Sequence, residues 1–181
     1  MIKPASGLCN LRCKYCFYCD VAKTRNVPNF GVMKSDTAER LVKSALEFAN
    51  GESVAFAFQG GEPVIAGLDY FKSFVRFVKE NNRKNSEIFF SLQTNGTLLT
   101  DEWCAFLRKN EFLVGLSLDG DREGNRFRVD EKGGSVYFKI LKAAALLKKH
   151  GVEFNILTVL TGDCADRCEN TYKYFRDNGF R

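Results

Sequence analysis

Histidine is nearly absent from this 181-residue sequence, which contains only His150. A single imidazole nearly excludes multi-histidine metal sites and catalytic triads built on histidine. His150 stands in the run Leu-Lys-Lys-His-Gly, so we expect it to lie at the C-terminal end of a helix that Gly151 terminates.

Long apolar runs and blocks of one charge are missing as well. No stretch approaches the roughly 20 apolar residues of a membrane span, and residues 1–4 do not begin a signal peptide. The 27 basic and 22 acidic residues give a net charge of +5 that is spread along the chain. We therefore expect a cytoplasmic protein with neither a membrane nor a nucleic acid as its partner.

Cysteine, in contrast, is frequent. Seven cysteines, an odd number, favour metal ligation or free thiols over disulfides in a reducing compartment. Cys9, Cys13 and Cys16 have C-x3-C-x2-C spacing, and thiolates are preferred ligands of iron–sulfur clusters and zinc. A cubane cluster needs four iron ligands, so three thiolates would leave one iron open, as in catalytic metal sites.

Two alternatives for this cysteine loop stay open at the level of sequence. Cys19 extends the run to C-x3-C-x2-C-x2-C, and as a fourth ligand it would close the cluster and favour electron transfer. The other alternative is a zinc knuckle or a set of buried thiols.

The rest of the chain predicts an α/β fold. Short, largely apolar runs predict strands buried on both faces, as in a parallel sheet, at 53–58, 87–92, 112–118 and 153–160. Amphipathic periodicity predicts helices at 35–50, with Ser35 as N-cap, and at 69–82, 100–110, 135–150 and 165–178.

A further short strand at Met1–Ala5 would make about five βα units, in a doubly wound sheet or a partial barrel. A closed eight-stranded barrel needs about 250 residues. A sixth strand is missing after the last helix, which would leave 153–160 as an apolar edge. We therefore expect a fragment of a longer protein, or a partner on that edge.

Polar, glycine-rich loops follow the predicted strands, at the sheet edge where α/β folds bind ligands. In the first of them, Gly60 and Gly61 allow close approach of a ligand, and Glu62 suits an ammonium group. Ser117, on the third long strand, is suited to hydrogen bonding, and Arg128 to a two-point clamp on a carboxylate.

Together these motifs resemble the radical S-adenosylmethionine (SAM) superfamily, whose core is a partial (β/α)6 barrel. Within it, the chain is similar to the anaerobic sulfatase-maturating enzymes of the SPASM type. The segments that carry this resemblance are 2–6, 16–18, Phe56–Pro63, Ser91–Thr97 and Gly115–Gly120, and it covers essentially all 181 residues. It implies one radical SAM core domain over 1–181.

The resemblance implies a [4Fe–4S] cluster on Cys9, Cys13 and Cys16, with SAM on the open iron. Tyr15 would lie near the adenine, Gly60, Gly61 and Glu62 at the SAM amino group, and Ser117 and Arg128 at its other polar groups. Tyr18, Gln59 and Gln93 would face a substrate peptide. The implied reaction is hydrogen abstraction by a 5′-deoxyadenosyl radical, which converts a sulfatase Cys or Ser to formylglycine, with flavodoxin or ferredoxin as reductant.

Several features depart from the family pattern. Gly124-Asn125 replaces the His-Asp pair that commonly precedes the arginine matching Arg128. The auxiliary-cluster domain and the general base are expected outside this chain, which we therefore do not expect to turn over alone. Cys104, Cys164 and Cys168 are interpreted as packing or helix residues. Two other functions remain open, namely another peptide-modifying radical SAM enzyme and a non-catalytic iron–sulfur electron-transfer module.

Overall fold

The computed structural model describes residues 1–180, apart from the side chain of Lys23. Four strands form one parallel sheet in the order β1-β2-β3-β4, with β1 at Val54–Phe58, β2 at Ile88–Thr94, β3 at Phe112–Ser117 and β4 at Phe154–Leu157. The helices are α1 Phe17–Thr24, α2 Ser35–Ala49, α3 Leu68–Asn81, α4 Asp101–Lys109, α5 Tyr137–Lys149, α6 Gly162–Asp166 and α7 Cys168–Asp177. Two single 3-10 turns lie at Pro63–Ala66 and Gly124–Phe127.

The strands are buried on one face only, which corrects the expectation of burial on both. Alternate residues of β1 and β3 are buried, and these pack with α2, α3, α4 and α5 in one core. The opposite face is exposed within residues 1–180, as Phe89 and Leu113 illustrate at 52% and 46% exposure. A sequential parallel order with one covered face matches a partial barrel, because a doubly wound sheet reverses its strand order and carries helices on both faces.

The first predicted strand, Met1–Ala5, is reduced to a single bridge between Ile2 and Phe58. Ile2 donates to the Ala57 carbonyl at 2.7 Å and accepts from Gln59 N at 3.0 Å. The ladder ends there because Pro4 has no N–H to donate and the chain turns at once. The segment nevertheless lies parallel to β1, in the position expected for the first unit.

Several other element boundaries differ from the sequence prediction. Helix α2 begins with Ser35 as its first residue and Lys34 as N-cap. Strand β4 ends at Leu157, because Thr158 and Val159 hydrogen bond to the loop after β3 instead of continuing the ladder. The last predicted helix is divided into α6 and α7, and α1 was not predicted at all.

The interpretation of the remaining cysteines is confirmed. Cys104 and Cys164 are buried, and Cys168 is the exposed first residue of α7. His150 caps the C-terminus of α5 as predicted. Among the residues that the structure describes, no helix has the length and apolar character needed to cross a membrane.

Candidate functional site

The cysteine loop lies across the carboxyl ends of the strands, where its own backbone fastens it. Arg12 N donates to the Val129 carbonyl at 2.8 Å, and Lys14 N donates to the Phe127 carbonyl at 2.9 Å. These two bonds attach the middle of the loop to the segment that follows β3. Residues far apart in sequence are thereby brought to one edge of the sheet, as the parallel topology predicts.

On its other side the loop rests against the glycine-rich turn after β1. Gly61 has a φ of +56°, and a Cβ there would lie 2.3 Å from the Leu8 carbonyl oxygen. The same carbonyl accepts from Glu62 N at 2.7 Å. Glycine at position 61 therefore permits both a left-handed conformation and close approach of the cysteine loop.

The thiols of Cys9, Cys13 and Cys16 are all partly exposed and interact electrostatically. Burial raises the pKa of Cys9 to about 11, and electrostatic repulsion from Glu62, Cys13 and Cys16 adds to that rise. Within residues 1–180, no three His, Cys, Asp or Glu side chains converge on a single metal ion. A cubane cluster makes no such demand, because each thiolate binds a different iron.

Cys19 lies one turn further on, inside α1, where its N–H donates to the Cys16 carbonyl at 3.1 Å. Its thiol hydrogen bonds to that of Cys16, and burial raises its pKa. It is thus a close neighbour of one cysteine of the triad, on a separate structural element.

Glu62 is fully buried and ties two loops together. Its carboxylate accepts from Val64 N at 3.1 Å, from Thr94 Oγ1 at 2.7 Å and from Asn95 N at 2.7 Å. Burial raises the pKa of Glu62 to about 7, against the effect of these donors. Three of its roughly four lone-pair sites are filled, which leaves room for one further donor.

Asn95 is a site residue that sequence reasoning missed, although the Gln-Thr-Asn-Gly loop that contains it was recognised. Its amide donates to Asn10 Oδ1 at 3.0 Å and lies 3.9 Å from the Cys9 sulfur. Asn10 in turn donates to Thr97 Oγ1 at 2.9 Å. These bonds fasten the first half of the cysteine loop to the end of β2.

A second missed residue, Asp119, organises the end of β3. Arg128 donates to both of its carboxylate oxygens, at 2.8 and 3.0 Å, and Tyr15 O–H donates at 2.5 Å. Arg128 was expected to clamp a ligand carboxylate, and two of its five donors are instead directed at Asp119. Burial raises the pKa of Tyr15 far above its usual range, so the phenol stays protonated and acts as donor.

The residues expected to face a substrate form two groups. Gln93 Nε2 donates to Ser117 Oγ at 2.9 Å on the exposed face of the sheet. The Gln93 side chain lies over Gly115, where an added Cβ would collide with the Gln93 amide. At the β1 end, the Lys3 ammonium lies 4.8 Å from the centre of the Tyr18 ring, and Gln59 is exposed. The Lys3 side chain also covers Gly60, where a Cβ would lie 2.9 Å from its Cγ.

The chain is similar in sequence to known proteins. Residues 4–175 match the profile of the radical SAM superfamily. The chain is 47% identical over its whole length to a cysteine-type anaerobic sulfatase-maturating enzyme of Clostridium perfringens, of which it covers 49%. It is 35% identical, over 98% of its length, to a serine-type enzyme of that name from Bacteroides thetaiotaomicron, of which it covers 43%.

Solved structures give the same result for the fold. Native anSMEcpe with bound AdoMet superposes with a TM-score of 0.93 at 47% identity, over 98% of this chain and 48% of that one. A spore photoproduct lyase at 12% identity, with a TM-score of 0.67 over 96% of this chain and 49% of that one, shares the fold alone. The chain spans about half the length of the curated relatives it matches.

Proposed function

The chain belongs to the radical SAM superfamily, and from this we propose that Cys9, Cys13 and Cys16 hold a [4Fe–4S] cluster beside a SAM site. The observation that carries the proposal is that all three thiols lie on one loop, fastened to the carboxyl edge of the sheet. The proposal assigns residues 1–181 to one catalytic core domain. It also places the protein in the cytoplasm, where thiols stay reduced.

The donor set fits such a cluster. Three sulfur donors without histidine suit iron–sulfur chemistry, and binding of the metal would deprotonate thiols that burial otherwise keeps neutral. The chemistry that the bound cluster and SAM supply is one-electron cleavage of the sulfonium C–S bond, which gives a carbon radical able to abstract hydrogen.

The chain's own residues bind and orient. Gly60, Gly61 and Glu62 would receive the SAM amino group, since the Glu62 carboxylate interacts electrostatically with Cys9 and retains capacity for one further donor. Beside Cys13, Tyr15 is assigned to the adenine and Arg128, with its remaining donors, to the SAM carboxylate.

The reaction that we propose is oxidation of a sulfatase Cys or Ser to formylglycine. It is supported by the 47% identity to a cysteine-type sulfatase-maturating enzyme and by the solved structure of anSMEcpe with bound AdoMet and Cp18Cys peptide, at 46% identity and a TM-score of 0.90. Ser117 is assigned to SAM, whereas Gln93, Tyr18 and Gln59 are assigned to the peptide. A flavodoxin or ferredoxin would supply the electron, and the general base would come from outside this chain.

The test is anaerobic reconstitution of the purified protein, produced from its full coding sequence, with iron and sulfide. We expect about four irons per core site, 5′-deoxyadenosine after reduction with SAM, and formylglycine in a sulfatase peptide, detected by mass spectrometry with Cys and Ser versions compared. Cys9→Ala should abolish binding of this cluster, whereas Cys104→Ala, a change of a buried cysteine away from the loop, should retain it.

Cys19→Ala separates the enzyme from an electron-transfer module. The enzyme proposal expects this variant to keep the cluster and to form 5′-deoxyadenosine. Loss of the cluster in Cys19→Ala, or absence of 5′-deoxyadenosine from the wild-type protein, would contradict it. Formation of 5′-deoxyadenosine without formylglycine from either peptide would favour another peptide-modifying radical SAM enzyme.

A further inference from the structure

Asp119 is the point where three distant segments of the chain meet. Its carboxylate accepts four hydrogen bonds, from Tyr15 O–H, from Arg128 Nε and Nη2, and from Val159 N at 3.0 Å. Its own N–H donates to Asn125 Oδ1 at 3.2 Å. The cysteine loop, the turn after β3 and the segment after β4 are thus joined through one buried residue.

The Asp119–Arg128 ion pair is also deeply buried, with side chains 3% and 7% exposed. Desolvation offsets most of the Coulomb attraction in such a pair, and apolar residues of similar volume often stabilise a fold equally well. Stability alone is therefore a weak explanation for a buried pair at this position.

The pair lies within electrostatic reach of the cysteine loop. Arg12 N donates to the Val129 carbonyl and Lys14 N to the Phe127 carbonyl, so Cys13 and Arg128 lie opposite each other between these two bonds. The Arg128 guanidinium also lies 5.5 Å from the centre of the Tyr15 ring, and Tyr15 stands between Cys13 and Cys16 in the sequence. The charges of Arg128 and Asp119 would therefore act on iron bound to the cysteine loop.

We propose that Asp119 is a positioning residue that holds Tyr15 and Arg128 against the cysteine loop and offsets the Arg128 charge, which keeps the cluster's reduction potential low. This inference rests on the function proposed above. An uncompensated cation beside an iron–sulfur cluster stabilises the reduced, more negative state and raises its potential. The carboxylate therefore allows an arginine to lie at the site without making the cluster a weak reductant.

The experiment is a redox titration of the reconstituted protein, followed by electron paramagnetic resonance without SAM. We expect Asp119→Asn to raise the potential and Arg128→Gln to lower it. The double variant, which removes both charges, should return close to the wild-type value. A merely structural role would not produce opposite shifts that cancel in the double variant.

Asp163→Asn is the matched control, because Asp163 pairs with Arg126 at 2.5 Å in an ion pair whose side chains are 36% and 34% exposed. The same loss of one charge there, in a pair more accessible to solvent, should leave the potential unchanged. Equal shifts in Asp119→Asn and Asp163→Asn would overturn the proposal, as would no shift in any variant.

Arg128→Lys covers the case in which the neutral variants do not fold. It keeps the charge but loses two-point pairing, so the potential should stay near the wild-type value while SAM binding, measured by calorimetry, weakens at least tenfold. A clear shift of the potential in Arg128→Lys, in which both charges remain, would contradict the charge compensation assigned to Asp119. A wild-type protein that binds no cluster would instead contradict the proposed function, so the two failures are distinguishable.

Discussion

Gly61 holds the cysteine loop in place because it lacks a side chain. A methyl group there would collide with the Leu8 carbonyl oxygen at 2.3 Å, and a backbone atom cannot rotate away. We expect Gly61→Ala to lower the free energy of unfolding by about 1–3 kcal/mol. It should also reduce the iron bound after reconstitution, because displacement of Leu8 moves Cys9.

Gly133→Ala is the control for backbone strain alone. Gly133 has a φ of +78° and no atom within 4 Å of an added Cβ. The control should lose about 1 kcal/mol of stability and bind a full complement of iron. Iron content is measured after reconstitution, and stability is measured by urea unfolding. Equal iron binding by the two variants would show that the Leu8 contact does not position the loop.

The sequence points to those candidate site residues whose chemistry is visible locally. Ser117 was chosen for its position on a predicted strand, whereas the cysteine spacing and the glycine pair with Glu62 could be recognised from short motifs. Asp119 could not, because its partner Tyr15 is 104 residues away and an Asp-Gly pair after a strand reads equally well as a turn. Asn95 was missed for the same reason, since its partner Asn10 is 85 residues distant.

At the level of elements, long periodic segments were predicted well and short ones poorly. Helix α3 was predicted to within one residue at each end, since its buried face repeats over several turns. Helix α1 has eight residues and follows the cysteine loop directly, so it has too few turns for a periodic pattern to be recognised.

Burial of both strand faces was inferred from continuous apolar runs, but the exposed apolar residues belong to the open inner face of a partial barrel.

Two consecutive phenylalanines on β2 test this assignment of faces. Phe90 stacks on Phe112 with 4.9 Å between ring centres, whereas Phe89 is 52% exposed. We expect Phe90→Ala to lower the free energy of unfolding of this chain by about 3 kcal/mol, and Phe89→Ala by less than about 1 kcal/mol. Denaturant unfolding of both variants measures this, and a reversed order would mean that the covered face of the sheet was wrongly assigned.

Across the whole molecule, the contacts that build the site also close the fold. Glu62 joins the loops after β1 and β2, and Asp119 joins the cysteine loop to the segments after β3 and β4. The ionisable groups of the site are therefore buried at the carboxyl edge, where their titration is coupled to unfolding of the entire chain.

Glu62 makes this coupling measurable as a pH dependence of stability. Burial raises its pKa in the folded protein from 4.5 to about 7, so the native state binds a proton more tightly than the unfolded chain does. Unfolding then releases a proton between these values, and the free energy of unfolding falls as the pH rises from about 4.5 to 7, by roughly 3 kcal/mol. The contribution is fully present below pH 4.5 and fully lost above pH 7.

Urea unfolding of the cluster-free protein from pH 4.5 to 7.5 measures this dependence. Glu62→Gln, which cannot titrate, should lose most of the slope, whereas Glu47→Gln, at an exposed position on α2, should retain it. Persistence of the full slope in Glu62→Gln would assign it to other groups. The Glu62 carboxylate accepts from Thr94 and Asn95, and the Asn95 amide lies beside the Cys9 sulfur. Protonation of Glu62 at low pH therefore alters bonds in the loop that fastens Cys9, so stability and the geometry of the cysteine loop should change together.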